Sequence, residues 1–325
     1  MGANAVKVVK HLLAAAGLAG FALMASAQSY PSRLVRIVVP YPPGGPTDVA
    51  ARLIAARLSA SMKQSVVVEN RPGASGNIGN AAVAKAEPDG HTVLLTVDTT
   101  LTANPSLFRE INYEPQKDLK LVSLLATFEQ ILVVHPPHEA RNLKDLFALA
   151  RQTSCAYSSG GAGSAAHLTT EALLQRAGVK MLHVPYKGNA PAVTAVVAGE
   201  VPVGVLATTA VLPLLKAGRL RALAVSGLRR SALAPEIPTI AESGYPDFSA
   251  EFGILLAVPG RTPDEVVSIL YREVSRALQD AEVKSSLRNM GMEVSALNPE
   301  DTRRRVDAET RRWSAVISSA GIRAD

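Results

Sequence analysis

The chain has a single cysteine, a single tryptophan and few aromatics of any kind, 4% of 325 residues. A lone Cys155 closes no internal disulfide, so stability must come from core burial, for which 47% of the residues are hydrophobic. Cys155 itself reads as a buried strand residue. The sparse aromatics, and the lack of any Lys/Arg block before the C-terminal segment, argue against a nucleic-acid surface. The mild formal charge of +6 is spread out and leaves only attraction of small anions. The six histidines show no metal-ligand spacing, and His135 and His138 flank two prolines, a poor scaffold for a metal. No cofactor fingerprint survives inspection either: Gly161-Ala-Gly163 resembles a dinucleotide loop, but the next apolar run ends in Pro185 and Tyr186 with no acid for a ribose.

Past the N-terminus there is also no apolar run long enough to cross a bilayer. At the N-terminus, Lys7 and Lys10 precede the run from Leu12 to Met24, and Ala25-Ser26-Ala27 follows as a small-residue cleavage site. This pattern is that of an export signal over residues 1–27, cleaved after Ala27, which places the product in the periplasm. Two domains are expected over the remaining length in preference to one core.

What the chain does have is a repeated arrangement, seen first at Arg36-Ile-Val-Val-Pro-Tyr-Pro-Pro-Gly-Gly-Pro-Thr-Asp48. A β-branched run is stopped by Gly and Pro, Pro46 suits a first helical position, and Thr47 and Asp48 offer capping oxygens to the helix that follows. The free N–H groups of that helix start, with Gly44 and Gly45 leaving room for close approach, suit an anion. The runs Val66–Val68 and Thr92–Val97 complete a βαβαβ unit. In an open parallel sheet its carboxyl ends bring Tyr41 and residues 44–48 together with Asn77 and with Thr99 and Thr100.

The same order recurs later in the chain. Strands are expected at Ile131–Val134, Ala156–Tyr157, Met181–Val184, Val201–Leu206 and Leu220–Val225. A donor loop, Ser158-Ser159-Gly160-Gly161-Ala-Gly163-Ser164, precedes a helix through His167, and Tyr186 and Lys187 lie in the next turn. Asn142 is expected to cap a helix, Gly199 to close one, and Thr262-Pro-Asp-Glu265 to form a capping box. Ser164 and His167 share a helix face, which leaves an exported α/β hydrolytic enzyme as an alternative reading, although the GxSxG elbow and an orienting acid are missing.

The blocks Tyr41–Asp48, Val66-Val-Val-Glu-Asn-Arg-Pro-Gly73, Pro88-Asp-Gly90, Ser158–His167, His183-Val-Pro-Tyr-Lys-Gly188 and Leu220-Arg-Ala-Leu-Ala-Val225 occur in an order that closely resembles the Bug family, the extracytoplasmic receptors of tripartite tricarboxylate transporters. The resemblance implies an α/β, periplasmic binding protein type II-like fold. Its two domains would comprise residues 28–127 with 252–325, and residues 128–251, joined by crossovers near Ala126–Gln130 and Ala250–Ile254. It implies no catalysis and no cofactor, but a monomeric receptor that closes over a small carboxylate and meets membrane permease subunits. The ligand-binding set is then Tyr41, Gly44, Gly45, Thr47, Asp48, Asn77, Thr99, Thr100, Ser158, Ser159, Gly160, Gly161, Gly163, Ser164, His167, Tyr186 and Lys187. The chain departs from the family pattern at Pro202 and at Gly253, where an acid and an aromatic are usual. The only acids expected near the cleft are Asp48 and Asp98, which favours a purely anionic di-, tricarboxylate or aromatic acid over an amino acid.

Overall fold

The computed structural model describes residues 30–324, so the export signal lies outside the described residues. The first strand, β1 (Val35–Val39), sends Val35, Ile37 and Val39 into one core cluster and Val38 into the opposite one. That is the period-two signature of a strand covered on both faces. It pairs in parallel with β2 (Val66–Asn70) and β3 (Thr92–Val97), linked by α1 (Pro46–Met62) and α2 (Asn77–Ala84). Three one-turn helices follow, α3 (Thr99–Thr102), α4 (Asn104–Leu107) and α5 (Pro115–Asp118).

The next strand, β4 (Leu119–Val134), runs for 16 residues where the sequence pattern suggested only Ile131–Val134. Glu129 and Gln130 interrupt its apolar character, and they mark where its partners change. Residues up to Glu129 pair with β9 (Glu251–Pro259) and β10 (Glu293–Leu297), whereas Gln130–Val134 pair with β7 (Val203–Ala207) and β8 (Arg221–Val225). The second half also contains α6 (Leu143–Gln152), β5 (Ala156–Ser159), α7 (Ala165–Ala177), β6 (Leu182–Pro185), α8 (Asn189–Ala198) and α9 (Thr208–Lys216). The chain then returns through β9 to α10 (Asp264–Ala277), α11 (Ala281–Asn289), β10 and α12 (Pro299–Ala320). The strand path is β2-β1-β3-β9-β4-β7-β5-β6, with β8 and β10 both added to β4. Helices cover both faces of each half. In β4, Leu132 and Val134 join one cluster while Ile131 and Val133 join the other.

Ser226 ties the two crossovers together. Its buried hydroxyl accepts the Gln130 N–H at 2.9 Å and donates to the Ala250 carbonyl at 2.6 Å. Its backbone bonds the same two residues. A third connection is α12, where Val306 packs in the core of the first half and Trp313 and Ile317 in that of the second. Trp313 stacks on Phe252 of β9 with ring centroids 5.4 Å apart.

Local signals fared unevenly. Asn142 caps α6 through Asp145 N–H at 2.9 Å, and Gly199 closes α8 at φ 76°. The expected capping box at Thr262 does not form. Helix α10 begins at Asp264 behind Pro263, so Thr262 is one residue too early; its N–H turns back to Pro259 and its hydroxyl is buried without a partner.

Candidate functional site

Four helices begin around one cavity of about 230 Å³ between the two halves of the sheet. Helix α1 contributes Pro46 and Thr47, α7 contributes Ala165 and Ala166 behind Ser164, α8 contributes Asn189 behind Gly188, and α9 contributes Thr208 and Thr209. First-turn N–H groups have no partner within their own helix, and the helix dipole adds positive potential there, so the four starts together form a neutral anion cradle. The facing wall is apolar, with Val97, Phe128, Met290 and Met292, and Glu129 and Gln130 come from the crossover. No Lys, Arg or His side chain lines the cavity among the described residues.

The first loop is shaped by Asp48. Its Oδ2 accepts the Gly44 N–H at 2.9 Å and Arg52 Nε at 3.0 Å, and its Oδ1 accepts Asn70 Nδ2 at 2.9 Å. The bonded Arg52 guanidinium holds the carboxyl down to about 2. The tie folds the turn over Gly44, whose φ of 84° suits glycine. It also corrects the sequence reading of the cap, because Gly45 is the N-cap and neither Thr47 nor Asp48 bonds the helix start. Burial pushes the Tyr41 hydroxyl up to about 12. Thr47 therefore reaches the cavity, while Tyr41, Gly44, Gly45 and Asp48 build the loop behind it.

The second loop has a similar division. Gly160 and Ser164 line the cavity. Ser158 donates to the Ala192 carbonyl, and Ser159 Oγ lies 2.7 Å from His183 Nε2 and takes the Gly161 N–H at 3.2 Å. The Gly163 N–H donates to His167 Nδ1 at 3.0 Å, and His167 stacks on His183 with centroids 3.7 Å apart. Burial, helped by His183, lowers His167 to about 3, and burial lowers His183 to about 4. Ser164 Oγ accepts the His167 backbone N–H as the N-cap of α7. Neither ring nitrogen of His167 is turned to Ser164: Nδ1 takes the Gly163 N–H, and Nε2, the nitrogen a hydrolase would aim at the serine, lies 3.9 Å from Glu171 Oε1.

The remaining expected residues lie outside the cavity lining. Asn77 Oδ1 accepts from Asn104 Nδ2 at 2.9 Å and from the Tyr113 hydroxyl at 3.2 Å, and Thr100 Oγ1 takes Asn80 Nδ2 at 2.8 Å, so Asn77 and Thr100 are engaged inside a polar cluster in which only Asn80 Oδ1 is left without a partner among the described residues. Thr99 opens α3 beside it. Tyr186 and Lys187 stand outside, and Gly188 and Asn189 occupy the wall instead. Asp98 also lies elsewhere: its Oδ2 accepts the Gly253 N–H at 2.8 Å, and burial raises it to about 7. A side chain at Gly253 would run into Leu124, which explains why no aromatic stands there.

Sequence reasoning missed Phe128–Gln130, Thr208, Thr209 and Met290–Met292. Ala207-Thr208-Thr209 follows a strand with the same hydroxyl-to-helix order as the other loops and could have been found. Met290-Gly291-Met292 is a turn brought in by α11, and nothing in its local pattern announces a ligand.

A cleft lined by helix starts between two α/β halves that share crossing strands defines a two-domain binding protein of the periplasmic class. The chain belongs to the tripartite tricarboxylate transporter family receptors, whose model matches residues 50–322. It is 37% identical over 320 residues to protein BugT of Bordetella pertussis, covering 96% of this chain and 98% of that one. An R. palustris protein solved with adipate is 37% identical, with a TM-score of 0.79 over 91% of this chain and 99% of that one. MatC from Rhodopseudomonas palustris with bound malate is 31% identical, with a TM-score of 0.75 over 89% of this chain and 100% of that one.

Proposed function

We propose that the protein is a periplasmic receptor that captures a small carboxylate by closing about its crossovers and delivers it, as a monomer, to the membrane permease subunits of a tripartite transporter. The carrying observation is the convergence of four helix starts on a cavity of about 230 Å³ lined, among the described residues, by no cationic side chain. Such a site holds an oxyanion through N–H groups and hydroxyls, and its size suits a small organic acid. The adipate and malate found in relatives support the carboxylate reading. No helix among the described residues is long and apolar enough to cross a membrane.

The lobe division we propose follows the change of partners in β4 at Glu129/Gln130 and the start of β9 at Glu251. Of the residues expected from sequence, Thr47, Gly160 and Ser164 are proposed to touch the ligand, joined by Asn189, Thr208 and Thr209. The others shape the loops. A thermal-shift screen of succinate, malate, adipate, citrate and an aromatic dicarboxylate should raise the unfolding temperature for at least one. Ligand at 100 times its Kd stabilises by about 2.7 kcal/mol. Thr47→Val should weaken that ligand about ten-fold, the loss of about one hydrogen bond. Silence across small carboxylates, with or without an ammonium group, would overturn the receptor reading.

A further inference from the structure

Among the described residues, Glu129 is the one charged side chain that lines the cavity. It sits in the last β4–β9 pair, directly opposite Glu251, so the two side chains leave the same face of the sheet. Its Oε1 accepts the Thr208 hydroxyl at 3.2 Å, at the start of α9. Glu251 Oε1 accepts the Leu228 N–H at 3.1 Å. Burial raises the Glu129 carboxyl from its ordinary value, the charge of Glu251 adds to this, and the bonds from Ser231 and Thr208 only partly offset it.

The basic groups nearby lie outside the cavity lining among the described residues. Arg229, Arg230, Arg288 and Arg305 line a neighbouring hollow that shares Glu129 and Gly291 with the cavity. Arg230 pairs with Glu242, and Arg305 donates to the Glu251 backbone carbonyl at 3.0 Å. The second carboxylate of a diacid reaching this wall would meet Glu129, backed by Glu251, with no cation in the lining among the described residues to offset the repulsion. An ammonium group would instead complete a charge-assisted hydrogen bond to Glu129 and neutralise the wall.

We propose that Glu129 sets ligand specificity: the cavity takes a carboxylate that also carries an ammonium group, the carboxylate held at the helix starts and the ammonium at Glu129. This rests on the receptor reading, and it reverses the sequence expectation of a purely anionic ligand, which considered only Asp48 and Asp98. The test is calorimetry of the whole protein near neutral pH with matched compounds: succinate against 4-aminobutyrate, adipate against 6-aminohexanoate, and glutarate against glutamate. At least one amino compound should bind about ten-fold or more tighter than its partner. Glu129→Gln should weaken that compound and strengthen the diacid, a reversal that misfolding cannot produce. A wild-type preference for the diacids, equal effects of Glu129→Gln on both members, or diacid binding accompanied by proton uptake would overturn the proposal and leave the carboxylate receptor standing. Failure of every compound to bind would remove both readings.

Discussion

His167 and His183 show how a buried side chain links the ligand loop to pH. Both rings are held neutral, at about 3 and about 4, whereas an unfolded chain protonates histidine near 6.5. The stability they contribute is full above about pH 6.5 and is lost as the pH falls toward those lower values, because the unfolded state then binds more protons. The loss by about pH 5 is roughly 2 kcal/mol per ring. Tyr157 packs against both rings, Glu171 lies beside His167, and Lys180 and Arg323 line the same outer hollow. Urea unfolding of His167→Gln should show a flatter fall with acid than the parent. Asp98 has the opposite sign. Its carboxyl is raised to about 7 by burial, so it opposes folding as pH climbs from about 3.8 through 7. Asp98→Asn, which keeps an acceptor for the Gly253 N–H, should be more stable than the parent above about pH 7 and match it near pH 3. The sequence displays these residues but not their burial, which comes from α7, β6 and β9 closing over them.

At the scale of the element, the β5–α7 loop separates two kinds of glycine. The sequence places Gly163 in the expected ligand-binding set, from which Gly163→Val would block the ligand and leave the fold intact. The geometry redirects that expectation: Gly163 has φ 70°, and a Cβ there would lie 2.6 Å from Leu107 Cδ1. A side chain in the left-handed region costs about 1–2 kcal/mol before any clash. Gly163→Val should therefore lower the unfolding temperature in the absence of ligand. Gly160 lines the cavity, and its added Cβ would meet nothing closer than 3.5 Å. Gly160→Val should cut affinity by more than about ten-fold with little change in unfolding temperature, measured by calorimetry and thermal shift. The strand, Gly/Ser loop and helix order was legible because Gly, Pro and hydroxyl residues punctuate it. The length of β4 was not, because Glu129 and Gln130 look like the end of a strand when its changing partners are invisible.

For the whole molecule, Ser226 is the residue through which both crossovers meet. Ser226→Ala leaves the Gln130 N–H and the Ala250 carbonyl without their side-chain partner in a buried setting. A cost of about 2 kcal/mol is expected from urea unfolding, since each stranded group loses a hydrogen bond without regaining water. The alternation of apolar strands with helices made two α/β halves readable from sequence. The helix that bridges them was harder to read, because the amphipathic pattern of α12 records which face is buried and not which lobe buries it. Trp313 lies on that bridge, stacked on Phe252 at the start of the returning strand, with the Arg312 guanidinium 4.5 Å from its ring centroid. As the chain's single indole, it is the one tryptophan that selective excitation reports, and its emission energy responds to the charge and the ring packed against it. A rotation of one lobe against the other that shifts either neighbour changes the colour or yield of that emission, so an unlabelled sample can report its own occupancy optically.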